Sequence, residues 1–186
     1  MVNSLGAKIL ETPRTYLRRQ VPGDLDALWE LYCDPQVTRY IPDAPRSREE
    51  ARDELEWFMN GHPAWPELGL WATILKADGS FIGRCGLLPW NVDGQEEVEV
   101  AYTIAREYWG RGLGSEVADG ILRYAFDELR LERLISLIDP ENTASQRVAV
   151  KIGMRLESKL DGINGDGIAT WIYAAKRAAR RRNHAD

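Results

Sequence analysis

Three glycines at alternate positions, Gly110, Gly112 and Gly114, come directly before an apolar pattern with helical spacing. A helix N-terminus leaves backbone N–H groups unpaired and carries partial positive charge, so a loop that leads into one can bind a phosphate. Glycines let the backbone come close to the anion and adopt positive φ. Segment 109–115 is therefore predicted to bind a phosphate-containing ligand, although a ligand-free strand-to-helix turn would show the same pattern.

Two common nucleotide-binding motifs do not fit this segment. A P-loop requires a Lys followed by Ser or Thr after the glycines, and none is present. The glycine spacing also differs from the GxGxxG pattern of dinucleotide-binding folds. The remaining interpretation is a pyrophosphate cofactor of another kind.

The segments on either side of the glycines predict the elements that hold them. Apolar and polar residues alternate over 97–105, which predicts a strand, and the apolar spacing from Val117 to Leu129 predicts a long helix. The apolar run 134–138 predicts a strand covered on both faces, so the unit should be a right-handed βαβ crossover.

Further strands and helices are predicted outside this unit. The strands cover 16–19, 70–75, 81–88, 154–159 and 170–174, and a turn at 77–79 joins the second and third of these. Helices begin after caps at Asp24, Ser47 and Asn142 or Thr143, and the last of them ends at Gly153. The predicted fold class is α/β, with a mixed sheet flanked by helices.

Length and composition predict one globular domain over 1–186. The chain has 186 residues, 44% of them hydrophobic, and a net charge of -5, which does not favour a nucleic-acid partner. Segment 1–13 is interpreted as an N-terminal extension, and the basic tail 176–186 as a solvated, frayed helix end. No apolar window is long enough to span a membrane and no secretory signal is present, which predicts a cytoplasmic protein.

The cysteines and histidines predict neither a disulfide nor a metal site. Cys33 and Cys85 have no CxxC spacing, and His62 and His184 lie far apart, one beside a proline and one in the tail. A histidine-based catalytic triad is also not expected.

Taken together, these motifs resemble the GNAT superfamily of acetyl-CoA-dependent N-acetyltransferases. The loop Trp109–Gly114 is similar to the family pattern Gln/Arg-x-x-Gly-x-Gly/Ala, with Trp109 where Gln or Arg is usual. Tyr102 before the loop and segment 139–145 after it resemble the Rim-type branch, the ribosomal-protein N-terminal acetyltransferases and their relatives. The resemblance covers 16–173.

The resemblance implies a mostly antiparallel sheet splayed between its fourth and fifth strands, with acetyl-CoA as co-substrate in the opening and no metal. It also implies that a backbone N–H near Ile104 binds the acetyl carbonyl, as an oxyanion donor should. The residues expected to bind the cofactor are Ile104, Trp109, Gly110, Arg111, Gly112, Leu113, Gly114, Ser115, Asn142 and Arg147.

Acetylation of an amine requires a base, and Glu99 is the first candidate because it matches the acidic position of the Rim-type pattern. Glu97 lies on the same face of the predicted strand and is the second candidate. The simpler interpretation is that Glu96, Glu97 and Glu99 form the solvent-facing side of a strand.

The leaving thiolate needs a hydrogen-bond donor, and the tyrosine that most family members use is replaced by Ala149. Ser145 matches the serine of the Rim-type Asn-x-x-Ser motif and is predicted to bind the sulfur, while Asn142 braces the CoA arm. Helix capping would explain the same two residues without any ligand.

Three functions remain open: an N-acetyltransferase acting by direct attack in a ternary complex, a degenerate CoA-binding sensor or scaffold, and a ligand-free interaction domain. The glycine loop argues against the third, and Glu99 with Ser145 favours the enzyme. Acceptor specificity is placed in segment 35–66, and the glutamates would suit a cationic amine, whether a protein N-terminus or a small molecule. The sequence does not decide the oligomeric state, and a homodimer is compatible with it.

Overall fold

The computed structural model describes residues 6–177. Within this range the strands are β1 (Lys8–Glu11), β2 (Thr15–Arg18), β3 (Gly69–Leu75), β4 (Phe81–Val92), β5 (Gln95–Ile104), β6 (Arg133–Ile138), β7 (Arg155–Leu160) and β8 (Thr170–Lys176). The α-helices are α1 (Leu25–Cys33), α2 (Pro35–Thr38), α3 (Arg48–Met59), α4 (Leu113–Asp127) and α5 (Thr143–Lys151). Short 3-10 helices cover Pro22–Asp24 and Arg106–Tyr108.

The strands form one eight-stranded sheet in the order β1-β2-β3-β4-β5-β6-β8-β7. Only β5 and β6 run parallel among the described strands, and α4 forms the crossover between them. The mixed, mostly antiparallel sheet with flanking helices confirms the predicted fold class. The predicted splay between the fourth and fifth strands falls between β5 and β6 in this numbering, because segment 1–13 contributes the additional strand β1.

Three local features differ from the sequence predictions. The N-terminal extension pairs with β2 and so belongs to the sheet. Strand β4 continues to Val92 and reaches β5 through a two-residue turn in which Asp93 and Gly94 have φ of 48° and 86°, a hairpin geometry that Asp-Gly favours. The basic tail starts inside β8, and the N–H of Arg177 donates to the carbonyl of Glu132 at 3.0 Å. Residues 178–186 of that tail lie outside the described part of the chain.

The helices cover both faces of the sheet. Residues of α4, including Val117 and Ile121, pack in the main apolar core with Val100 and Ile104 of β5. The other face carries Glu99, because side chains alternate along a strand. Helices α1 and α3 form a second cluster that packs against Phe81 and Ala105. The β5–β6 opening is therefore flanked by α4 on one face and by the α1–α3 layer on the other.

Candidate active site

The glycine loop directly follows β5 and leads into α4. Gly110 and Gly112 both have φ of 74°, a conformation that a side chain would strain, and Gly112 is the N-cap of α4. Within residues 6–177 no side chain caps this helix end, so the first-turn N–H groups point out of the helix without a capping partner there. A Cβ added at Gly110 or Gly114 would meet no atom within 4 Å among the described residues. The loop therefore has open space and unpaired donors for an anion.

Trp109 holds the start of the loop against the end of β5. Its indole Nε1–H donates to the carbonyl of Ile104 at 2.7 Å, although the side chain remains 47% exposed. The Arg111 guanidinium lies over the Tyr108 ring at 5.4 Å from its centroid and is exposed. Trp109, which departs from the family pattern, therefore has a structural role, while Arg111 is free to reach an anion near the loop.

The N-terminal hairpin braces the same loop through Arg14 and Glu116. The Arg14 Nε–H donates to the Glu116 carboxylate at 2.6 Å, and its Nη1 donates to the carbonyl of Arg111 at 2.9 Å. Thr12 also donates to Glu116, at 2.6 Å. Burial alone would raise the pKa of Glu116, but the hydrogen bonds from Thr12 and Arg14 outweigh it and lower that pKa. Glu116 thus stays ionised at a helix end suited to an anion, with Arg14 beside it to balance the charge.

Sequence reasoning did not find this bracing pair. Glu116 lies in the first turn of α4, where an acidic side chain close to an anion-binding loop indicates a need for a cation. That local signal does not identify which cation pairs with Glu116, since Arg14 is 102 residues away in sequence.

Strands β5 and β6 part soon after they meet. They pair only at Glu99 and Ile135, and the Ser136 hydroxyl donates to the carbonyl of Val100 at 3.0 Å. The carbonyls of Val100 and Ile104 both point away from β4, as their bonds to Ser136 and Trp109 show. Backbone direction alternates along a strand, so Tyr102 and Ile104 present their backbone N–H groups to the opening between β5 and β6.

Glu99 lies where the two strands part, and it is 9% exposed. One carboxylate oxygen accepts from the Leu137 N–H at 3.1 Å, and the other accepts from the Trp90 indole N–H at 2.8 Å. The pKa of Glu99 is raised to about 7, because burial outweighs the N–H groups of Leu137 and Trp90 and the charge of Arg84, which act to lower it. A carboxyl group with a pKa near neutrality can accept a proton from an amine and release it again.

Glu97, the second candidate base, is bound elsewhere. Both of its carboxylate oxygens accept from the Arg133 Nε–H, at 2.9 and 3.1 Å, and Arg133 also pairs with Glu157. Glu96 is exposed near the β4–β5 turn. Of the three neighbouring glutamates, only Glu99 is buried at the opening.

Helix α5 begins on the far side of the opening. The Asn142 side chain accepts from the Ser145 N–H at 3.0 Å. Asn142 therefore caps α5, as the ligand-free interpretation of this residue predicts. The Tyr102 hydroxyl donates to the carbonyl of Ser145 at 3.1 Å, which ties β5 to α5, and burial raises the pKa of that hydroxyl. The Ser145 side chain is half-buried, and Ala149 is fully buried.

The other predicted contact of α5, Arg147, is exposed and donates to the Thr143 hydroxyl at 3.4 Å. It lies one turn beyond the start of α5, on the same helix as Ser145. Its guanidinium is bound only to its own helix among the described residues, so an anion could compete for it.

Two ion pairs place the segment after α1 across the mouth of the opening. Asp34 pairs with Arg106 at 2.6 Å, on the glycine-loop side. Arg39 pairs with Glu141 at 3.2 Å, and the Tyr40 hydroxyl donates to the carbonyl of Glu141 at 3.3 Å, on the α5 side. Segment 34–40 therefore bridges the two rims of the site, and all of it except Asp34 lies within the range 35–66 predicted to determine acceptor specificity.

Comparison with known proteins identifies the family. A family model described as "Acetyltransferase (GNAT) domain" matches residues 14–155. The chain belongs to the GNAT acetyltransferases. YkkB of Bacillus subtilis (strain 168) is 35% identical over 78% of this chain and 84% of its own length. YdaF of the same organism is 33% identical over 82% of this chain and 84% of its own, and its name provisionally calls it a ribosomal N-acetyltransferase.

Solved structures agree with this assignment. An acetyltransferase (GNAT family) from Bacillus anthracis superposes with a TM-score of 0.78 at 27% identity, covering 91% of this chain and 98% of its own. The recognition of a GNAT N-acetyltransferase related to the Rim-type branch is therefore confirmed. Acetyl-CoA is the acetyl donor of GNAT enzymes, and its pyrophosphate fits the open, donor-rich loop described above.

Residues 6–177 contain neither a membrane-spanning helix nor a cluster of metal ligands. No helix in that range is long and apolar enough to cross a membrane. No group of three or more His, Cys, Asp or Glu side chains in it is arranged to hold a metal ion.

Proposed function

We propose that this GNAT enzyme transfers the acetyl group of acetyl-CoA to a primary amine by direct attack in a ternary complex. The acceptor is a protein N-terminus or a small-molecule amine. The observation that carries this proposal is the position of Glu99, a buried carboxyl group with a pKa of about 7 at the point where β5 and β6 part.

The glycine loop binds the pyrophosphate of acetyl-CoA in this proposal. The N–H groups of Gly112, Leu113, Gly114 and Ser115 donate to it, and Gly110 provides the turn that leads there. Arg111 and Arg147 are exposed cations that approach the phosphates from either side. The bond from Trp109 to Ile104 keeps the loop next to the strand end, and the Asn142 cap fixes the start of α5.

The opening between β5 and β6 positions the thioester. The backbone N–H groups of Tyr102 and Ile104 face this space, so one of them donates to the acetyl carbonyl as negative charge develops there. Ser145 lies across the opening, where its hydroxyl donates to the thiolate that leaves.

Glu99 accepts the proton that the amine loses, directly or through a water molecule. The amine nitrogen bonds to the acetyl carbon and the carbon–sulfur bond breaks. The proton that Glu99 accepted then passes to the CoA thiolate, directly or through solvent, so that CoA leaves as the thiol and Glu99 is ionised again. The two donors to Glu99, Leu137 and Trp90, both stabilise its ionised form, which is the form that acts as a base.

The proposal is tested by calorimetric titration with acetyl-CoA, followed by measurement of CoA release with a panel of amines. Glu99→Gln should lower kcat by about 100-fold or more, the usual contribution of a general base, and leave the Kd of acetyl-CoA near that of the wild type. Full activity of Glu99→Gln across the pH range would refute the assignment of the base.

One observation favours a second candidate, a CoA-binding sensor or scaffold without catalysis. Ala149 is buried at the position where most of the family has its tyrosine acid. Tight acetyl-CoA binding with no CoA release for any amine would support this candidate. A cytoplasmic location and a homodimer stay predictions.

A further inference from the structure

Arg84 on β4 is a buried cation, and only 7% of it is exposed. Arginine keeps its charge in proteins, so burial must be balanced by partners. Its nearest carboxylate, Glu54 of α3, lies 3.4 Å from its Nε outside hydrogen-bond geometry. Glu54 instead accepts from the Tyr32 hydroxyl at 2.5 Å, and the ring of Tyr32 lies 5.2 Å from the Arg84 guanidinium.

One donor of the guanidinium is therefore left unsatisfied within the fold. The Nε–H has no hydrogen-bond partner within residues 6–177, while the rest of the guanidinium lies beside Tyr32 and is balanced by the charges of Glu54 and Asp43. The hydroxyl of Tyr32 is close enough for Arg84 to lower its pKa, but burial raises that pKa more strongly. A buried N–H without an acceptor costs free energy, so a ligand oxygen that accepts from the Arg84 Nε–H would relieve that cost.

Arg84 faces the same side of the sheet as Glu99. Arg84 pairs with Thr103 and Leu88 pairs with Glu99, and side chains two residues apart on a strand share a face. The charges of Arg84 and Asp43 both act on Glu99, and Asp43 also acts on Arg84. The acceptor side of the opening thus has a positive charge at Arg84 and a carboxyl group at Glu99, and the charge of Asp43 acts on both.

We propose that Arg84 is an acceptor-binding residue, and that the acceptor is an amine that carries a carboxylate, as an amino acid does. The amine is directed to Glu99 and the carboxylate to the Arg84 guanidinium. This inference rests on the proposed acetyl transfer and names its substrate class.

A carboxylate fits Arg84 better than other groups. The planar fork of a guanidinium matches two carboxylate oxygens, whereas a single carbonyl oxygen satisfies one donor. A phosphate carries more negative charge, which Glu54 and Asp43 would oppose. An amino acid brings one positive and one negative group, so it adds no net charge to a region that already contains these carboxylates.

The first test measures binding, without catalysis, of three matched probes to the protein with and without CoA. N-Acetylglycine carries the carboxylate, N-methylacetamide lacks it, and N-acetylglycinamide replaces it with a neutral amide. N-Acetylglycine should bind about 10- to 100-fold more tightly than the other two, the range expected for charge-assisted hydrogen bonds. Equal binding of all three probes would overturn the proposal.

Arg84→Met should remove this difference, and Arg84→Lys should keep part of it. Arg48→Met is the matched control, because it removes an exposed arginine that pairs with Asp26 on the same helical layer. Thermal melts show whether each variant is folded. If Arg84→Met is not folded, the N-acetylglycine preference of Arg84→Lys and of the wild type still tests the proposal. Retention of the full N-acetylglycine preference by a folded Arg84→Met would also refute the assignment.

The second test measures CoA release with glycine and with methylamine, after correction for the neutral fraction of each amine. The wild type should show a kcat/KM at least about 10-fold higher for glycine than for methylamine, and Arg84→Met should bring this ratio close to one, whatever its activity with either amine. Activity with methylamine but no preference for glycine would refute the acceptor class and leave acetyl transfer intact. Absence of acetyl-CoA binding would instead refute the proposed function, while the probe series would still test Arg84.

Discussion

Gly112→Ala isolates the backbone conformation on which the glycine loop depends. Gly112 has φ of 74°, and an L-residue pays roughly 1–2 kcal/mol to adopt this left-handed conformation. The added Cβ meets no protein atom closer than the Arg14 Nη2 at 3.7 Å, an ordinary contact, so strain is the whole effect. If the variant keeps the native loop, its unfolding free energy falls by that amount; if the loop relaxes, acetyl-CoA affinity falls by about 5- to 30-fold.

The assay therefore combines calorimetric Kd values for acetyl-CoA with chemical denaturation of the same samples. The loss of unfolding free energy and the loss of acetyl-CoA binding free energy should sum to about 1–2 kcal/mol. Gly114→Ala is the control, since Gly114 lies inside α4, is not among the glycines with positive φ, and has open space around it. Gly114→Ala should be neutral or slightly stabilising, because alanine favours a helix. No loss in Gly112→Ala, or an equal loss in Gly114→Ala, would refute the reasoning.

Three further variants test the other parts of the site. Trp90→Phe removes a hydrogen bond that lowers the pKa of Glu99, so the pH of half-maximal kcat/KM should move above about 7, and an unmoved profile would contradict Glu99 as the base. Arg14→Met should weaken acetyl-CoA binding by about 10-fold, and adding Glu116→Gln should recover much of that loss because it removes the unpaired charge; no recovery would mean that Arg14 contacts the ligand itself. Ser145→Ala should lower kcat by about 10-fold with little change in Kd, and an unchanged kcat would exclude a role at the sulfur.

The sequence predicts well those features that depend on neighbouring residues. The glycine loop, the helix after it and the Asn142 cap follow from local patterns, and the structure contains all three. The Asp93-Gly94 dipeptide is also a local signal, because it favours a hairpin turn. β4 and β5 continue up to this turn and are therefore longer there than predicted.

Features that depend on distant contacts could not be predicted in this way. Glu97 and Glu99 share one face of β5, so the period of a strand cannot separate them. What separates them is Arg133, 36 residues beyond Glu97 in sequence, which pairs with Glu97 and leaves Glu99 at the opening. The buried environment of Arg84 likewise depends on α1 and α3, which precede it by many residues.

The opening between β5 and β6 and the basicity of Glu99 have a common cause. Beyond Ile135 the β6 backbone no longer pairs with β5, and the Leu137 N–H donates to the Glu99 carboxylate instead of to a β5 carbonyl. The carboxylate thus ends the parallel ladder and is buried there, and that burial is what raises its pKa to about 7. Glu99 can therefore have two roles. Its carboxylate accepts the hydrogen bond that a strand carbonyl would otherwise accept, and the opening for the thioester begins at that point, next to the same carboxylate.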